Sequence, residues 1–143
     1  MDEGAEITGV TGVTYPIPKK YMNRFFEGKD VFVKPATVWK QLRRGMKFVF
    51  YQSQEDTGFV GEAKIKRIIL QEDPMKFFEI YGDRIFLTKD ELKGYIKSQE
   101  RWRSGQKDRK KLWMAIELED IQKYDKPIQP ERFVPAGGQY IRG

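Results

Sequence analysis

The stretch from Met46 to Leu70, MKFVFYQSQEDTGFVGEAKIKRIIL, limits what this chain can fold into more than any other. Its first run, Lys47 to Tyr51, is aromatic and β-branched, which suits a pleated, half-buried surface. Polar turn formers follow, from Gln52 to Gly58. In the second run Phe59, Gly61, Ala63 and Ile65 point one way, and Val60, Glu62, Lys64 and Lys66 the other. That alternation predicts two strands joined by a turn, with one wet face. Gly61 and Ala63 are small, so the apolar face invites a close approach.

The remaining chain reads as short elements around this hairpin. Gly9 to Tyr15 is expected as an edge strand stopped by Pro16, with Pro18 opening a helix that carries Tyr21, Phe25 and Phe26 and stops at Gly28. Val31 to Lys34 reads as a strand closed by Pro35, and Thr37 as the cap of a short helix through Leu42. Asp73-Pro74 starts another helix, ended by Gly82, and Ile85 to Leu87 is a very short strand. Thr88 and Glu91 have capping-box spacing ahead of a helix that reaches Trp102. Leu112 to Glu119 alternates as a strand, with Trp113 on the face that leads to a rim. Ile121 to Pro130 reads as a turn-rich connection, and Phe133-Val134 and Gln139 to Ile141 as extended pieces. Residues 1–8 read as a tail and residues 9–143 as one domain. Few strands alternate with full crossover helices. The expectation is therefore an α+β fold built on a small mixed β pseudo-barrel with short helices inserted between strands.

Composition narrows function mainly by exclusion. The chain has no cysteine and no histidine, which removes disulfides, thiolate or imidazole metal sites and every Ser-His or Cys-His catalytic arrangement. Carboxylates, lysine and tyrosine remain as acid–base groups. No cofactor and no metal are expected. No apolar run approaches a membrane span. The lack of cysteine, with abundant Lys, Glu and Arg, fits a cytoplasmic protein from a hot habitat.

Charge is concentrated. Between Lys93 and Lys111 eight basic residues face only Glu100 and Asp108, an excess equal to the +6 of the whole chain. Within this run Trp102 is flanked by Arg101 and Arg103, with Lys107 beyond. Basic residues interleaved with an indole are what a platform for single-stranded RNA requires, with cations on phosphates and a ring on which a base can stack. A solvated charged loop has the same composition.

Several local patterns then line up in order: Phe26-Glu27-Gly28-Lys29, the strand ending Val33-Lys34-Pro35, Leu42-Arg43-Arg44-Gly45-Met46, the strand ending Phe50-Tyr51-Gln52-Ser53, and Val60-Gly61-Glu62-Ala63. Together they resemble the barrel domains related to the pseudouridine synthase and archaeosine transglycosylase (PUA) domain, particularly the ASCH and EVE branches, and more closely a small archaeal family within that superfamily. The resemblance implies a pseudo-barrel with a cleft for RNA or a modified nucleobase. Gly28 and Lys29 match the turn of the ASCH pattern. Lys34 stands where that pattern has Arg, and Phe32 where it has Glu.

The candidate binding residues are therefore Lys29, Lys34, Tyr51, Gln52, Ser53, Arg101, Trp102, Arg103 and Lys107. Lys34, before a proline at a strand end, is the candidate contact to phosphate or a base carbonyl. Tyr51 is a candidate stacking ring, and Gln52 and Ser53 candidate readers of a base edge. The expected partner is RNA or a modified nucleotide. Two other readings stay open. One is a small amidohydrolase acting on a modified nucleoside, using Lys34 or Lys29 with Glu62; the other is a protein-interaction module.

Overall fold

In the computed structural model, which describes residues 9–102, 111–132 and 134–143, six strands form one curled sheet. In chain order the elements are β1 (Val10–Pro18), α1 (Lys19–Phe26), β2 (Val31–Pro35), β3 (Lys47–Ser53), β4 (Gly58–Gln71), α2 (Phe77–Tyr81), α3 (Lys89–Trp102), β5 (Trp113–Ile128) and β6 (Gln139–Arg142). Single 3₁₀ turns flank α2 on both sides. The sheet order is β2-β5-β4-β3-β1-β6. β1 runs parallel to β3, and the other neighbours are antiparallel.

The expected hairpin is present as β3 and β4, with Phe48 opposite Ala63 and Phe50 opposite Gly61. A Cβ on Gly61 would lie 2.9 Å from the Phe26 ring and 2.5 Å from the Gln122 carbonyl oxygen. The small residue therefore lets α1 seat an aromatic ring directly on the strand. β4 and β5 are long and their register shifts at three places, which bends the pair and curls the sheet into a half-barrel. Inside the curl, Phe25 lies with its ring centre 5.1 Å from those of both Phe50 and Phe86, and Phe32 packs at 5.3 Å on Phe48. None of these side chains is more than 5% exposed.

Four expectations are corrected. β1 is no edge strand and does not stop at Pro16, because β3 and β6 flank it and Pro16 and Pro18 remain in register with Tyr51 and Ser53. A parallel partner that need not receive a bond from each proline nitrogen tolerates this spacing. No helix follows Thr37: Val38 has φ 50°, a left-handed conformation costly for a β-branched residue, and Thr37 donates its hydroxyl to Gly137 O at 2.8 Å instead of capping a helix. β5 does not end at Glu119. Asp120 takes φ 53°, and the strand continues to Ile128 through shifted register. Trp113 is buried rather than at a rim, edge-on to Tyr95 with ring centres 5.2 Å apart.

The start signals at Asp73 and Thr88 hold, the first on the 3₁₀ turn Pro74–Lys76 that leads into α2. Asp73 accepts from Met75 N, and Thr88 and Glu91 exchange the two bonds of a capping box at 2.8 and 3.2 Å. Among the described residues no helix is long and apolar enough to cross a membrane.

Candidate nucleobase cleft

A cleft of about 470 Å³ opens where β1 ends, β2 ends and α3 passes over both. That size lies within the roughly 300–1,000 Å³ usual for small-molecule sites. Its walls are Pro16 to Pro18 of β1, Phe32 to Lys34 of β2, the rings of Tyr21, Phe86 and Tyr95, and Leu87. α3 contributes Glu91, Gly94 and Ser98, and Ala136 closes one end. The lining is mostly apolar and aromatic because the strand ends carry core residues up to the rim.

Lys34 is the polar centre of this cleft. Its side chain is 8% exposed, and its ammonium sits 5.1 Å above the centre of the Tyr15 ring. Nζ donates to Thr37 Oγ1 at 2.7 Å and to Gly137 O at 3.4 Å. Among the described residues no carboxylate pairs with it. Burial, with Lys111 nearby adding a like charge, lowers its pKa to about 8. A buried cation without a counter-ion is costly for folding alone, and such groups concentrate at functional sites.

Tyr15 organises the surroundings of Lys34. It is fully buried, and its single hydroxyl proton is shared between Val38 O at 2.7 Å and Thr37 O at 3.0 Å, which fixes the strained turn that presents the Thr37 hydroxyl. Across the cleft, Arg24 clamps Glu91 with both guanidinium nitrogens, Nη2 reaching Oε2 at 2.9 Å. That pairing, reinforced by the Thr88 amide, holds the Glu91 carboxyl at about 2, well below the usual carboxylate range. Glu91 is therefore a neutralised wall and Lys34 the unbalanced charge.

Other candidate residues lie elsewhere. Tyr51 packs against Phe59 with ring centres 5.5 Å apart and is 5% exposed. Gln52 spends its side-chain amide on the β3–β4 turn, donating to Glu55 O and Asp56 O. Ser53 is paired with Pro18 in the strand register but is not part of the lining. None of the three lines the cleft around Lys34: Tyr51 packs on Phe59, and Gln52 is engaged by the β3–β4 turn. Lys29 donates to Asp83 O and borders a separate hollow with Arg24, Phe78 and Lys89. Glu62 is likewise outside the cleft, accepting from the Tyr124 hydroxyl at 2.8 Å and facing Lys47.

Lys93 and Lys97 are exposed one turn apart on α3, beside the Gly94 and Ser98 positions that border the cleft. Arg101 continues that spacing at the end of the helix. The side chains of Arg101 and Trp102, and all of Arg103 and Lys107, lie outside the described residues. Thr37, Tyr15 and the α3 lining were not reached from sequence. The available signals were Lys34 followed three residues later by Thr37 at a strand end, and small residues at Gly94 and Ser98 one helical turn apart.

Similarity to known proteins agrees with this architecture. The ASCH protein of Zymomonas mobilis superposes with a TM-score of 0.68 at 15% identity, over 92% of this chain and 88% of that one. The N-terminal domain of Staphylothermus marinus McrB gives a TM-score of 0.54 at 14% identity, over 84% and 77%. Both likenesses show a shared fold, a curled six-stranded half-barrel with short helices. The uncharacterized protein MJECS03 of Methanocaldococcus jannaschii is 45% identical over 98 residues, 68% of this chain and 90% of that protein. A family model described as a domain of unknown function, DUF365, matches residues 10–143, and the chain belongs to that family.

Proposed function

We propose that this protein binds single-stranded RNA or a modified nucleobase, with a base entering the cleft beside Lys34 and the basic run from Lys93 onward holding phosphates. The observation that carries this reading is Lys34 itself: a buried ammonium without a carboxylate partner among the described residues, at the floor of a ring-walled cleft. The exposed Lys93 and Lys97 supply sequence-independent attraction next to the mouth, and Arg101, Arg103 and Lys107 follow in the same basic run of the sequence. Trp102, within that run, is the residue proposed to stack on a base. The ASCH-like fold supports the reading as an analogy of architecture.

Titration of labelled single-stranded RNA at several salt concentrations tests it. Affinity is expected to fall steeply with salt, and the slope to flatten when Lys93, Lys97, Arg101, Arg103 and Lys107 are replaced by Ala. Lys34→Met is expected to weaken binding with little change in slope. A flat salt response in the native protein, or full affinity in both variants, refutes the proposal.

One contact favours a second reading. The Lys34 amine and the Thr37 hydroxyl are 2.7 Å apart, within reach for proton transfer. A pKa of about 8 leaves roughly a tenth of the amine neutral at pH 7. In its neutral form the amine would take the Thr37 proton, which now goes to Gly137 O. Thr37 Oγ1 would attack the amide carbonyl of a modified nucleoside, the ammonium would return the proton to the leaving amine, and water would then hydrolyse the acyl ester. Incubation with an N-acylated cytidine distinguishes the two: turnover that Thr37→Ala abolishes establishes hydrolysis, and intact substrate leaves binding alone.

A further inference from the structure

We propose that the group recognised in this cleft is a neutral carbonyl oxygen, that it takes the place now held by the Gly137 carbonyl, and that the turn Pro135 to Gly138 is a strap released on binding. The inference rests on the nucleobase reading above and narrows it. Two donors, Lys34 Nζ at 3.4 Å and Thr37 Oγ1 at 2.8 Å, converge on one acceptor, Gly137 O. The pair is built into the fold: Lys34 lies at the end of β2, and Thr37 is held by the Val38 turn that Tyr15 fixes. A protein oxygen therefore fills the position to which the site's donors point.

Among the described residues, packing anchors the strap at its two ends. Val134 is 1% exposed, and Gly138 lies against Tyr15, where an added Cβ would be 2.3 Å from the ring and 3.0 Å from Thr14 O. Between these anchors Pro135 and Ala136 are exposed, and a Cβ on Gly137 would meet nothing within 4 Å. Among the described residues, the hydrogen bonds of this turn are its own closure, Gly138 N to Pro135 O at 2.9 Å, and those from Lys34 and Thr37. Ala136 also lines the cleft, so an occupant meets the strap directly.

The lining also argues for a carbonyl over a phosphate. A phosphate is held by several charged or amide donors, whereas the lining here offers one ammonium and Ser98 among rings and prolines, its carboxylate already paired with Arg24. A ring carbonyl needs only the two donors that Gly137 already uses. Exchanging one carbonyl for another conserves the hydrogen bonds, so the free energy of binding comes from burying the ring.

The experiment follows the Lys34 side chain and the Gly137 and Gly138 amides of the full chain by NMR, during separate titrations with uridine, adenosine and inorganic phosphate. Uridine, which carries ring carbonyls, is expected to shift all three signals together and saturably. Adenosine, which has no carbonyl, and phosphate are expected to bind about tenfold more weakly or not at all, the step set by one unmade hydrogen bond. Equal affinity for adenosine, or phosphate shifting Lys34 while the strap signals stay fixed, overturns the carbonyl inference and leaves ligand binding intact. If no nucleoside moves Lys34, the nucleobase reading fails, and the strap is judged without ligand. Gly138→Ala is expected to wedge the turn off Tyr15, withdraw Gly137 O and move the Lys34 titration midpoint upward from about 8 as water enters. Should that variant not fold, Thr37→Val removes one donor to the strap and is expected to accelerate Gly138 amide exchange about tenfold. An unmoved midpoint in the folded Gly138→Ala protein, or unchanged exchange in Thr37→Val, overturns the strap.

Discussion

Replacing Lys34 by Met removes a buried charge from a cleft wall, and the structure sets both the size and the sign of the effect. The amine titrates at about 8 in the folded protein against 10.5 when free, because burial disfavours the ammonium and Lys111 adds to this. At 1.36 kcal/mol per unit that difference amounts to about 3 kcal/mol of folding free energy. Below pH 8 the ammonium is charged in both states and the penalty is fully present. Between pH 8 and 10.5 the folded form gives up its proton first, the unfolded chain holds more protons, and stability rises with pH. Lys34→Met has no such term. Urea unfolding of both proteins at pH 7 and pH 10 isolates it, because the shared titrations of tyrosines and other lysines cancel in the difference. The native protein is expected to gain about 2.5 kcal/mol on the variant across that interval, and the variant to be the more stable of the two at pH 7. A difference that stays flat with pH would show that the ammonium is solvated in the folded state, and the argument that the cleft holds an uncompensated charge would fall with it.

Two further outcomes concern the scaffold. Glu91 is held at about 2 by Arg24, so the stability it contributes is present above pH 4.5 and lost as pH falls through 2; Glu91→Gln is expected to cost about 1–3 kcal/mol at pH 6 and little at pH 2, read from thermal melts. Gly61→Ala places a methyl group against the Phe26 ring and the Gln122 carbonyl, and is expected to cost about 1–3 kcal/mol by denaturant unfolding, recovered only in part by Phe26→Leu because the carbonyl cannot move away.

Legibility from sequence followed the range of the interactions. The β3–β4 hairpin, the Asp73 and Thr88 start signals and the length of α3 could be read because each depends on residues close together in the chain. The extension of β5 past Glu119 could not, since it depends on β4 accepting a shifted register at Asp120, and Pro127 near its end reads locally as a break. Lys34 was legible as a strand-end cation. Its actual neighbours were not: Tyr15, Thr37 and Gly137 come together only through β1, the Val38 turn and the approach to β6. That Tyr51, Gln52 and Ser53 lie apart from Lys34 was not legible either, because it depends on the packing of Tyr51 against Phe59 and on the β3–β4 turn that engages Gln52.

The pairing of β6 with β1 has a consequence for synthesis. Val13 lies opposite Tyr140 and Thr14 opposite Gln139, so β1 waits for β6, which is synthesised after the other five strands of this sheet. Until then Lys34 has no Gly137 carbonyl above it, and the Tyr15 ring has no glycine backbone against it. A chain not yet extended past β6, or clipped before it, would carry the β3–β4–β5 platform with the pocket floor open to water, so ligand capture should report on the docking of β6 and not only on collapse of the core.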